Sequence, residues 1–346
     1  MSLTALDLQG AIDCDVHVAP ESMEALLPYM DDYWRDYLAN AGLSLSADGT
    51  GAYPAHGARA PHDVDALREQ VLDPRGLRHA VLTCVSAFDA SRNLYYEAAL
   101  CRALNDWLAA EWLARDDRLR ASMVVPTLDP EAAVAEIERV GSQPGFVQVL
   151  LPVRTDAPWG TKRFHPLHEA IAAHDLVLGL HAWGRMGLAP TASGFTHSYF
   201  EDYLANSQII VQAQVLSLVS EGVFERVPAL RVALVECGFS WLPPLLWRFD
   251  KDWKAVWREV PWLKSRPSEY VTQHVRATTA PAQLPADPGQ AAQLAEMLGA
   301  SELLMFASDH PHEHGDGHLD TLLDALDDDG RDAVLHGNAA ALYGLT

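Results

Sequence analysis

Short apolar segments alternate with amphipathic segments along the whole chain. The apolar segments are rich in Val and Leu, which is typical of parallel strands that are covered on both faces. We predict strands at residues 11–18, 76–88, 119–127, 145–151, 176–183, 231–237, 274–279 and 302–309. Because strands and helices alternate throughout, the pattern favours an α/β fold, a TIM-type (β/α)8 barrel, with a doubly wound open sheet as the alternative.

Two of the amphipathic segments show clear helix signals. Apolar positions recur every three or four residues over 94–113 and 129–140, as on the buried face of a helix. Asp129 is placed to cap the second helix, and Pro130 occupies its first position, where a missing N–H is tolerated.

Two longer segments interrupt the alternation. Residues 19–62 contain LLPYMDDYWRDYL and then a stretch rich in Gly, Ala and Pro, which predicts an inserted helix followed by a mobile flap. Residues 184–198 predict a long loop after the fifth strand. In a barrel both segments lie at the C-terminal face, where substrates bind. No composition shift marks a domain boundary, so we expect one domain over residues 1–346.

The overall composition argues against some classes of partner. The chain has 346 residues, 49% of them apolar, and a formal net charge of −22. A surface this acidic repels phosphate backbones and anionic headgroups, so we expect no nucleic acid and no membrane as partner. The N-terminus lacks a signal sequence, and no C-x-x-C spacing links Cys14, Cys84, Cys101 and Cys237. We therefore expect reduced cysteines in a cytoplasmic protein.

Aromatic residues cluster in the segment LWRFDKDWKAVWREVPW. The spacing of its tryptophans predicts one aromatic helix face formed by Trp247, Trp253, Trp257 and Trp262. We expect this face to lie in the core or in a subunit interface, and we expect the chain to form a homo-oligomer.

The first predicted strand ends in an unusual run of polar residues, within AIDCDVHVAP at 11–20. Asp13, Asp15 and His17 alternate along it. Because residues two apart share one face of a strand, we expect these three side chains to line one face. Buried carboxylates are costly without a compensating partner, and a metal cation would supply one.

Metal-ligand residue types recur where other predicted strands end. His181 ends the fifth strand and Glu236 ends the sixth. The eighth strand ends in a denser group made of Asp309, His310, His312 and His314. In a closed barrel these strand ends meet at one mouth, so the sequence predicts a metal site there.

These motifs resemble the amidohydrolase superfamily. D-x-D-x-H at 13–17, His181 and SDHPH at 308–312 carry the resemblance. The stretches CRALNDWLAAEWLARDDRLRASMVVPTLDPEAA (101–133) and VALVECGFSWLPPLLWRFDKDW (232–253) support it. The chain is most similar to the amidohydrolase-2 group, which includes aminocarboxymuconate semialdehyde decarboxylase and resorcylate-type decarboxylases. The resemblance implies a barrel with a catalytic metal.

The resemblance also implies a set of ligands. The family's first-strand H-x-H motif falls on Asp15 and His17. Its fifth-strand ligand falls on His181, and its eighth-strand carboxylate falls on Asp309. Glu236 stands where the family often has a histidine that acts as an acid–base or as a ligand. No lysine ends the fourth strand, so no carbamylated lysine is expected.

A narrower resemblance guides the functional hypothesis. DCDVH, LLPYMDDYWRDYL and CGFSWLPPLLWRFDK are similar to a branch that contains isobutyrate hydroxylase and the diiron hydroxylase of platensimycin and platencin biosynthesis. The ligand types suit Fe or Mn. We therefore predict a non-haem dinuclear Fe/Fe or Fe/Mn monooxygenase that uses O2 and an electron donor to hydroxylate a small carboxylate or thioester. In this hypothesis one metal is held by Asp15, His17, His181 and Asp309, and the second by Glu236 with His312 or His314.

The alternative is a single-metal enzyme, with Zn or Mn, that hydrolyses a C–N or C–O bond or decarboxylates its substrate without oxidation. We expect Glu236 and His312 to be catalytic, with Glu236 as general acid–base in the single-metal case. Other residues near the mouth are candidates for substrate binding, namely Tyr53, His56, Trp183, His197, Tyr199 and Trp241.

Overall fold

The computed structural model describes residues 6–41, 60–87, 93–184, 188–312 and 318–345. Eight parallel strands form one sheet, in which each strand pairs with the next one along the chain. The strands are β1 (Ile12–His17), β2 (His79–Thr83), β3 (Leu119–Val124), β4 (Phe146–Arg154), β5 (Val177–Gly184), β6 (Arg231–Val235), β7 (Val275–Thr278) and β8 (Leu304–Met305). A doubly wound sheet would reverse its strand order, so this order confirms the predicted (β/α)8 barrel.

Backbone contacts between β1 and the segment that follows β8 close the barrel. His17 N donates to His310 O at 2.8 Å, and Asp309 N donates to Asp15 O at 3.0 Å. Val16 and His310 form a parallel bridge. The first and last strands of the series are therefore neighbours, and their C-terminal ends lie at the same mouth.

Helices connect the strands and cover the outside of the barrel. The α-helices are α1 (Asp32–Ala41), α2 (Val64–Leu67), α3 (Asp73–Arg75), α4 (Leu94–Trp107), α5 (Pro130–Val140), α6 (His165–Ala173), α7 (Tyr199–Leu204), α8 (Val211–Ser220), α9 (Val223–Arg226), α10 (Leu242–Val256), α11 (Pro267–His274), α12 (Pro288–Leu298), α13 (Ala300–Leu303), α14 (His318–Asp324), α15 (Asp328–Asp332) and α16 (Asn338–Tyr343). Short 3₁₀-helices cover Met23–Tyr29, Lys162–Phe164 and Trp257–Glu259. π-Helical turns cover Arg68–Leu72, Leu108–Leu113, Ala205–Ile210 and Ala333–Gly337.

The two helices with clear sequence signals are confirmed. The side chain of Asp129 accepts hydrogen bonds from the N–H groups of Glu131 and Ala132, both at 3.1 Å, and Pro130 opens α5. The side chain of Asn93 caps α4 in the same way, and α4 with the π-helical turn after it fills the predicted helix. Each cap satisfies backbone donors that the first turn leaves without partners, which typically contributes about 1 kcal/mol.

Buried apolar side chains form two clusters. The outer cluster lies between the strands and the helices that cover them. The inner cluster fills the barrel below its mouth and includes Ile12, Cys14, Val81, Val177, Ala233, Val235, Met305 and Tyr343. All four cysteines are buried free thiols.

A bulge in β1 determines which of its side chains face the interior. Asp13 and Val16 are three residues apart on β1, but their partners on β2 are only two apart, so β1 holds one extra residue. Cys14 belongs to the inner cluster, whereas Val16 belongs to the outer one. Beyond the bulge, Asp15 and His17 therefore face the interior of the barrel mouth.

Asp13 departs from the expected row with Asp15 and His17. Its Oδ1 accepts a hydrogen bond from Ser308 N at 2.9 Å, and its Oδ2 lies 3.5 Å from Arg75 Nη1. Burial raises the pKa of Asp13, while the positive charge of Arg75 opposes that rise. Because the bulge shifts the alternation, Asp13 is bound by protein groups and is separate from the polar residues at the mouth.

Some predicted features can be compared only in part. The helix predicted within 19–62 is present as α1, with a 3₁₀-helix before it. Of the flap predicted to follow it up to residue 62, the part up to residue 59 lies outside the described residues. Trp247, Trp257 and Trp262 are 59%, 47% and 45% exposed, and the expected homo-oligomer stays a prediction. Within the described ranges, no helix has the length and apolarity needed to cross a membrane.

Candidate metal centre

The C-terminal mouth of the barrel gathers six of the predicted site residues. They lie on or just after β1, β5, β6 and β8, and they are Asp15, His17, His181, Glu236, Asp309 and His312. All are buried except His312, which is partly exposed. Their ligand atoms lie within 4.8 Å of one another in two overlapping groups, which are Asp15, His17, His181 and Glu236, and His17, Glu236, Asp309 and His312. We call these six residues the mouth cluster.

Close polar contacts link the imidazoles of the mouth cluster to its carboxylates. Asp309 Oδ1 lies 2.9 Å from His17 Nε2 and 3.0 Å from His312 Nδ1. His181 Nε2 lies 3.4 Å from Glu236 Oε2. The ring nitrogens and the carboxylate oxygens thus surround one small space.

The surroundings of Asp15 call for a cation. Its side chain is fully buried, and the hydroxyl of Thr83 offsets only part of the cost of burying its charge. His17 Nε2 lies 3.7 Å from Asp15 Oδ1, and His181 Nε2 lies 4.0 Å from Asp15 Oδ2, so both are beyond hydrogen-bond distance. Burial raises the pKa of Asp15 well above its usual value, and the negative charge of Asp309 raises it further. A cation within the mouth cluster would stabilise both charges.

His181 has the protonation state that a metal ligand needs. Burial lowers the pKa of His181 to about 3, and the neighbouring His17 adds to this effect, so the ring is neutral near pH 7. Its Nδ1 faces the carbonyl oxygen of Ala182. That nitrogen therefore carries the proton, and Nε2 presents its lone pair to the mouth cluster. Metal-binding histidines commonly have such a carbonyl partner on the second nitrogen.

The spacing of the donor atoms fits a divalent ion. Ligands on opposite sides of one ion are about 4.2 Å apart, twice a metal–ligand distance of about 2.1 Å. Mixed carboxylate and imidazole donors suit Mn, Fe or Zn. Both groups of the mouth cluster include His17 and Glu236. Because Nε2 of His17 has one lone pair, it can bind one ion and not two. The two groups therefore describe one shared pocket.

Glu236 and Asp309 have a backbone conformation that few residues adopt. Their φ angles are 56° and 54°, in the left-handed region, which costs a non-glycine residue about 1–2 kcal/mol. Hydrogen bonds hold both in place, since Glu236 N donates to Thr278 Oγ1 and Asp309 N donates to Asp15 O, each at 3.0 Å. Backbone strain of this kind is concentrated at functional sites.

The other predicted site residues are either outside the described structure or away from the mouth cluster. Outside it lie Tyr53, His56 and His314, and the side chain of Trp183. His197 is exposed. Trp241 is buried in the outer cluster, where its indole N–H donates to Cys237 O at 2.9 Å. Neither His197 nor Trp241 has a described contact with the mouth cluster, and their role in substrate binding stays a prediction.

Sequence reasoning missed three residues near the same mouth. Arg154 ends β4, and its Nη2 donates to Asp202 Oδ2 at 2.7 Å, with both side chains 2% exposed. Tyr203 follows Asp202 on α7, and its ring centroid lies 5.8 Å from that of Tyr199, which was predicted. The segment VQVLLPVR gave a usable signal, because an apolar strand that ends in a charged residue is the same pattern that identified the end of β1.

The barrel and the mouth cluster define a metal-dependent enzyme class, and comparison with known proteins identifies the family. A family model described as Amidohydrolase matches residues 12–345. The chain belongs to the amidohydrolase family. This confirms the broad resemblance, whereas no relative reported below is a hydroxylase.

The relatives are decarboxylases. γ-Resorcylate decarboxylase of Rhodococcus jostii (strain RHA1) is 26% identical over 306 residues, which is 82% of this chain and 88% of that protein. The solved 2,6-dihydroxybenzoate decarboxylase from Rhizobium has a TM-score of 0.69 at 21% identity and covers 97% of this chain and 99% of its own. The dihydroxybenzoic acid decarboxylase from Polaromonas sp. JS666 has a TM-score of 0.69 at 22% identity over 97% of both chains. That structure contains bound manganese and the inhibitor 2-nitroresorcinol.

These findings correct the functional hypothesis. The prediction of a non-haem dinuclear iron monooxygenase is wrong, because the curated proteins that match 82% and 79% of this chain are γ-resorcylate decarboxylases. The two-iron prediction came from the narrower resemblance to a branch that contains a diiron hydroxylase, with Glu236 and His312 or His314 as ligands of the second metal. In the structure six of the candidate ligands surround one shared pocket, and His314 lies outside the described residues. The single-metal alternative agrees with the comparisons.

Proposed function

We propose that this chain is a divalent-metal-dependent decarboxylase that removes CO2 from a small aromatic carboxylate without oxidation, with manganese as its metal. The observation that carries the proposal is the mouth cluster, which combines three buried or partly buried imidazoles with three buried carboxylates. The relatives' names support the substrate class, since γ-resorcylate is 2,6-dihydroxybenzoate, a benzoate with a hydroxyl group on each side of the carboxylate.

We assign the metal to Asp15, His17, His181 and Asp309, the four members of the mouth cluster on which the family's ligand positions fall. All four side chains are buried. When bound, the divalent ion supplies positive charge that holds an anionic substrate and stabilises negative charge that develops on it. Neutral His181 and the buried carboxylate of Asp15 are suited to this role.

We assign proton transfer to the two remaining members of the mouth cluster. Glu236 is buried and lies 3.4 Å from the ligand His181, so it acts on the substrate as general acid. His312 is bound to Asp309 at 3.0 Å and is partly exposed, so it exchanges protons with solvent. His312 therefore replaces the proton that Glu236 gives up.

The proposed reaction balances without another reactant. One proton is added to the ring carbon that carries the carboxylate. The bond between that carbon and the carboxylate then breaks, its electron pair returns to the ring, and CO2 leaves. A benzoate and one proton thus give a phenol and CO2, and the carbon framework is neither oxidised nor reduced by an outside agent.

The test is decarboxylation by the metal-loaded protein. The chain is freed of metal with a chelator, reloaded with Mn²⁺ and incubated with 2,6-dihydroxybenzoate in air and under nitrogen, while CO2 and resorcinol are measured. We expect equal rates in both atmospheres and no turnover without metal. 3,5-Dihydroxybenzoate, which has no hydroxyl beside the carboxylate, is the matched control and should react more slowly.

Binding of 2-nitroresorcinol provides a second measurement. Its nitro group resembles a carboxylate in shape and charge distribution but cannot leave as CO2, so it should compete with the substrate. Folded, manganese-loaded protein that releases no CO2 from hydroxybenzoates, or that forms product only when O2 is present, would contradict the proposal.

A further inference from the structure

Arg154 emerges at the barrel mouth directly beside the metal ligands. Side chains two residues apart share a face of a strand, so Arg154 shares its face with Pro152 and Gln148. Gln148 Oε1 accepts a hydrogen bond from Tyr343, which belongs to the inner cluster, so this face is the interior one. Pro152 pairs with His181, and Arg154 therefore lies one layer above that ligand.

Arg154 ties α7 to the top of the barrel. Its ion pair with Asp202 has a 2.7 Å contact, and Thr196 Oγ1 donates to the other carboxylate oxygen of Asp202 at 2.9 Å. Ser198 caps α7 by accepting a hydrogen bond from Glu201 N at 3.2 Å. A buried and hydrogen-bonded arginine–carboxylate pair fixes geometry strongly, so α7 has a defined position over the mouth.

Tyr203 follows Asp202 on this helix and lies within the electrostatic field of the mouth cluster. Burial raises the pKa of Tyr203, and the negative charges of Glu236 and Asp309 raise it further. Tyr203 adjoins Asp202, which is bound to Arg154 one layer above His181, and the π-helical turn that follows at Ala205–Ile210 contacts β4 and β5. These contacts place Tyr203 at the mouth, and the charge effects agree with that position. A tyrosine phenol keeps its proton at neutral pH and can donate a hydrogen bond.

We propose that Tyr203 is a substrate-contacting residue whose phenol donates a hydrogen bond to an anionic oxygen of the carboxylate bound at the mouth cluster. The Arg154–Asp202 pair is the positioning element that holds the phenol there. An anion that enters a pocket with three carboxylates needs donors in addition to a metal, and Tyr203 supplies one from α7. The chemical class of the ligand rests on the proposed function, whereas the position of Tyr203 does not.

Tyr203→Phe tests the contact, because it keeps the ring and removes only the hydroxyl. The dissociation constant of 2-nitroresorcinol for the manganese-loaded protein is measured by calorimetry, together with metal content and Tm. A hydrogen bond to a charged group predicts binding weaker by roughly 10- to 100-fold, with metal content and Tm unchanged. Tyr95→Phe is the matched control, since Tyr95 is 79% exposed and should bind the probe like the wild type.

A double-mutant cycle tests the positioning role. Asp202→Asn should weaken probe binding, and combining it with Tyr203→Phe should weaken binding no further than Tyr203→Phe alone, because both changes remove the same hydrogen bond. A purely structural role of Asp202 predicts additive losses instead. If Asp202→Asn does not fold, Thr196→Val removes one hydrogen bond to the same carboxylate and enters the cycle in its place.

The outcomes separate this inference from the proposed function. If the wild type decarboxylates its substrate and Tyr203→Phe binds the probe normally, only the role of Tyr203 is overturned. If the wild type binds the probe but releases no CO2, and Tyr203→Phe binds it weakly, only the proposed reaction is overturned. If the manganese-loaded wild type does not bind the probe, both are overturned.

Discussion

Nε2 of His17 lies 2.9 Å from Oδ1 of Asp309, although the two residues belong to opposite ends of the strand series. The closure of the barrel makes this contact, because the backbone of residues 309 and 310 is hydrogen-bonded to β1. The left-handed conformation of Asp309 then turns its carboxylate into the mouth cluster. Asp309 therefore contributes both to the closure of the barrel and to the proposed metal site.

Asp309→Asn should remove the metal and leave the fold intact. Asparagine tolerates the left-handed conformation, so the backbone should be retained. The amide is uncharged and is a poorer metal ligand than the carboxylate. Loss of a residue that supports a ligand typically lowers metal affinity by about 10–100-fold, so loss of the ligand itself should lower it by more than about 100-fold. Manganese content measured by mass spectrometry should fall, and decarboxylation should be lost. Full manganese occupancy and normal turnover in Asp309→Asn would show that this carboxylate is not a ligand.

The sequence was sufficient for the barrel because most of the strands are continuous apolar runs. Such runs occur when both faces of a strand are buried, and each of the eight predicted segments overlaps an observed strand. The same reasoning located His181, Glu236 and Asp309, since a polar side chain at the end of such a run must point to a mouth or have a partner. Strand register could not be deduced, because a bulge leaves no clear mark on the apolar pattern.

The bulge in β1 explains the error at Asp13. Strict alternation places Asp13 on the face of Asp15 and His17, whereas the extra residue moves it towards Arg75. The reaction could not be deduced either, because carboxylates and imidazoles at strand ends serve hydrolysis, decarboxylation and oxygenation alike. Tyr203 was missed since its proximity to the site depends on how Asp202 binds Arg154, which no local pattern reveals.

Glu236→Gln should slow the reaction and leave the metal in place. In the proposed site Glu236 supplies a proton and the ion is held by other residues, so the isosteric amide should lower kcat by roughly 10²–10⁴-fold. The substrate's KM and the manganese content should change little. Steady-state kinetics and metal analysis of the same sample check both. A fall in bound manganese would show instead that Glu236 is a ligand.

Manganese should stabilise the protein more at higher pH. In the metal-free protein the pKa of Asp15 is raised by burial and by the charge of Asp309. A carboxyl group with a raised pKa contributes stability while it is protonated and loses it as the pH rises through that pKa. Bound metal replaces the proton and removes this loss, so the rise in Tm caused by Mn²⁺ should be larger at a pH above the raised pKa than at a pH below it. Melting curves with and without Mn²⁺ measure it.

Asp15→Asn is the control for the effect of pH on manganese binding. Asparagine does not titrate, so the metal-free variant should lose less stability than the wild type as the pH rises. It should also gain less from Mn²⁺, because a charged ligand is missing. A manganese effect of equal size at both pH values in the wild type would contradict the role assigned to Asp15.

His168 should make the protein sensitive to acid independently of the metal. It is fully buried on α6, and burial lowers its pKa to about 3, with a smaller effect from His165. The unfolded chain binds this proton below about pH 6.5, whereas the folded chain does not bind it until about pH 3, so folding stability must fall as the pH drops through this window. Between pH 7.5 and pH 5 the loss from this one group should be about 2 kcal/mol. His168→Gln removes the titration and keeps a polar side chain of similar length. Urea unfolding of both proteins at the two pH values isolates the difference, because every other titrating group is common to both. If the variant and the wild type lose the same stability on acidification, His168 is protonated in the folded protein at pH 5.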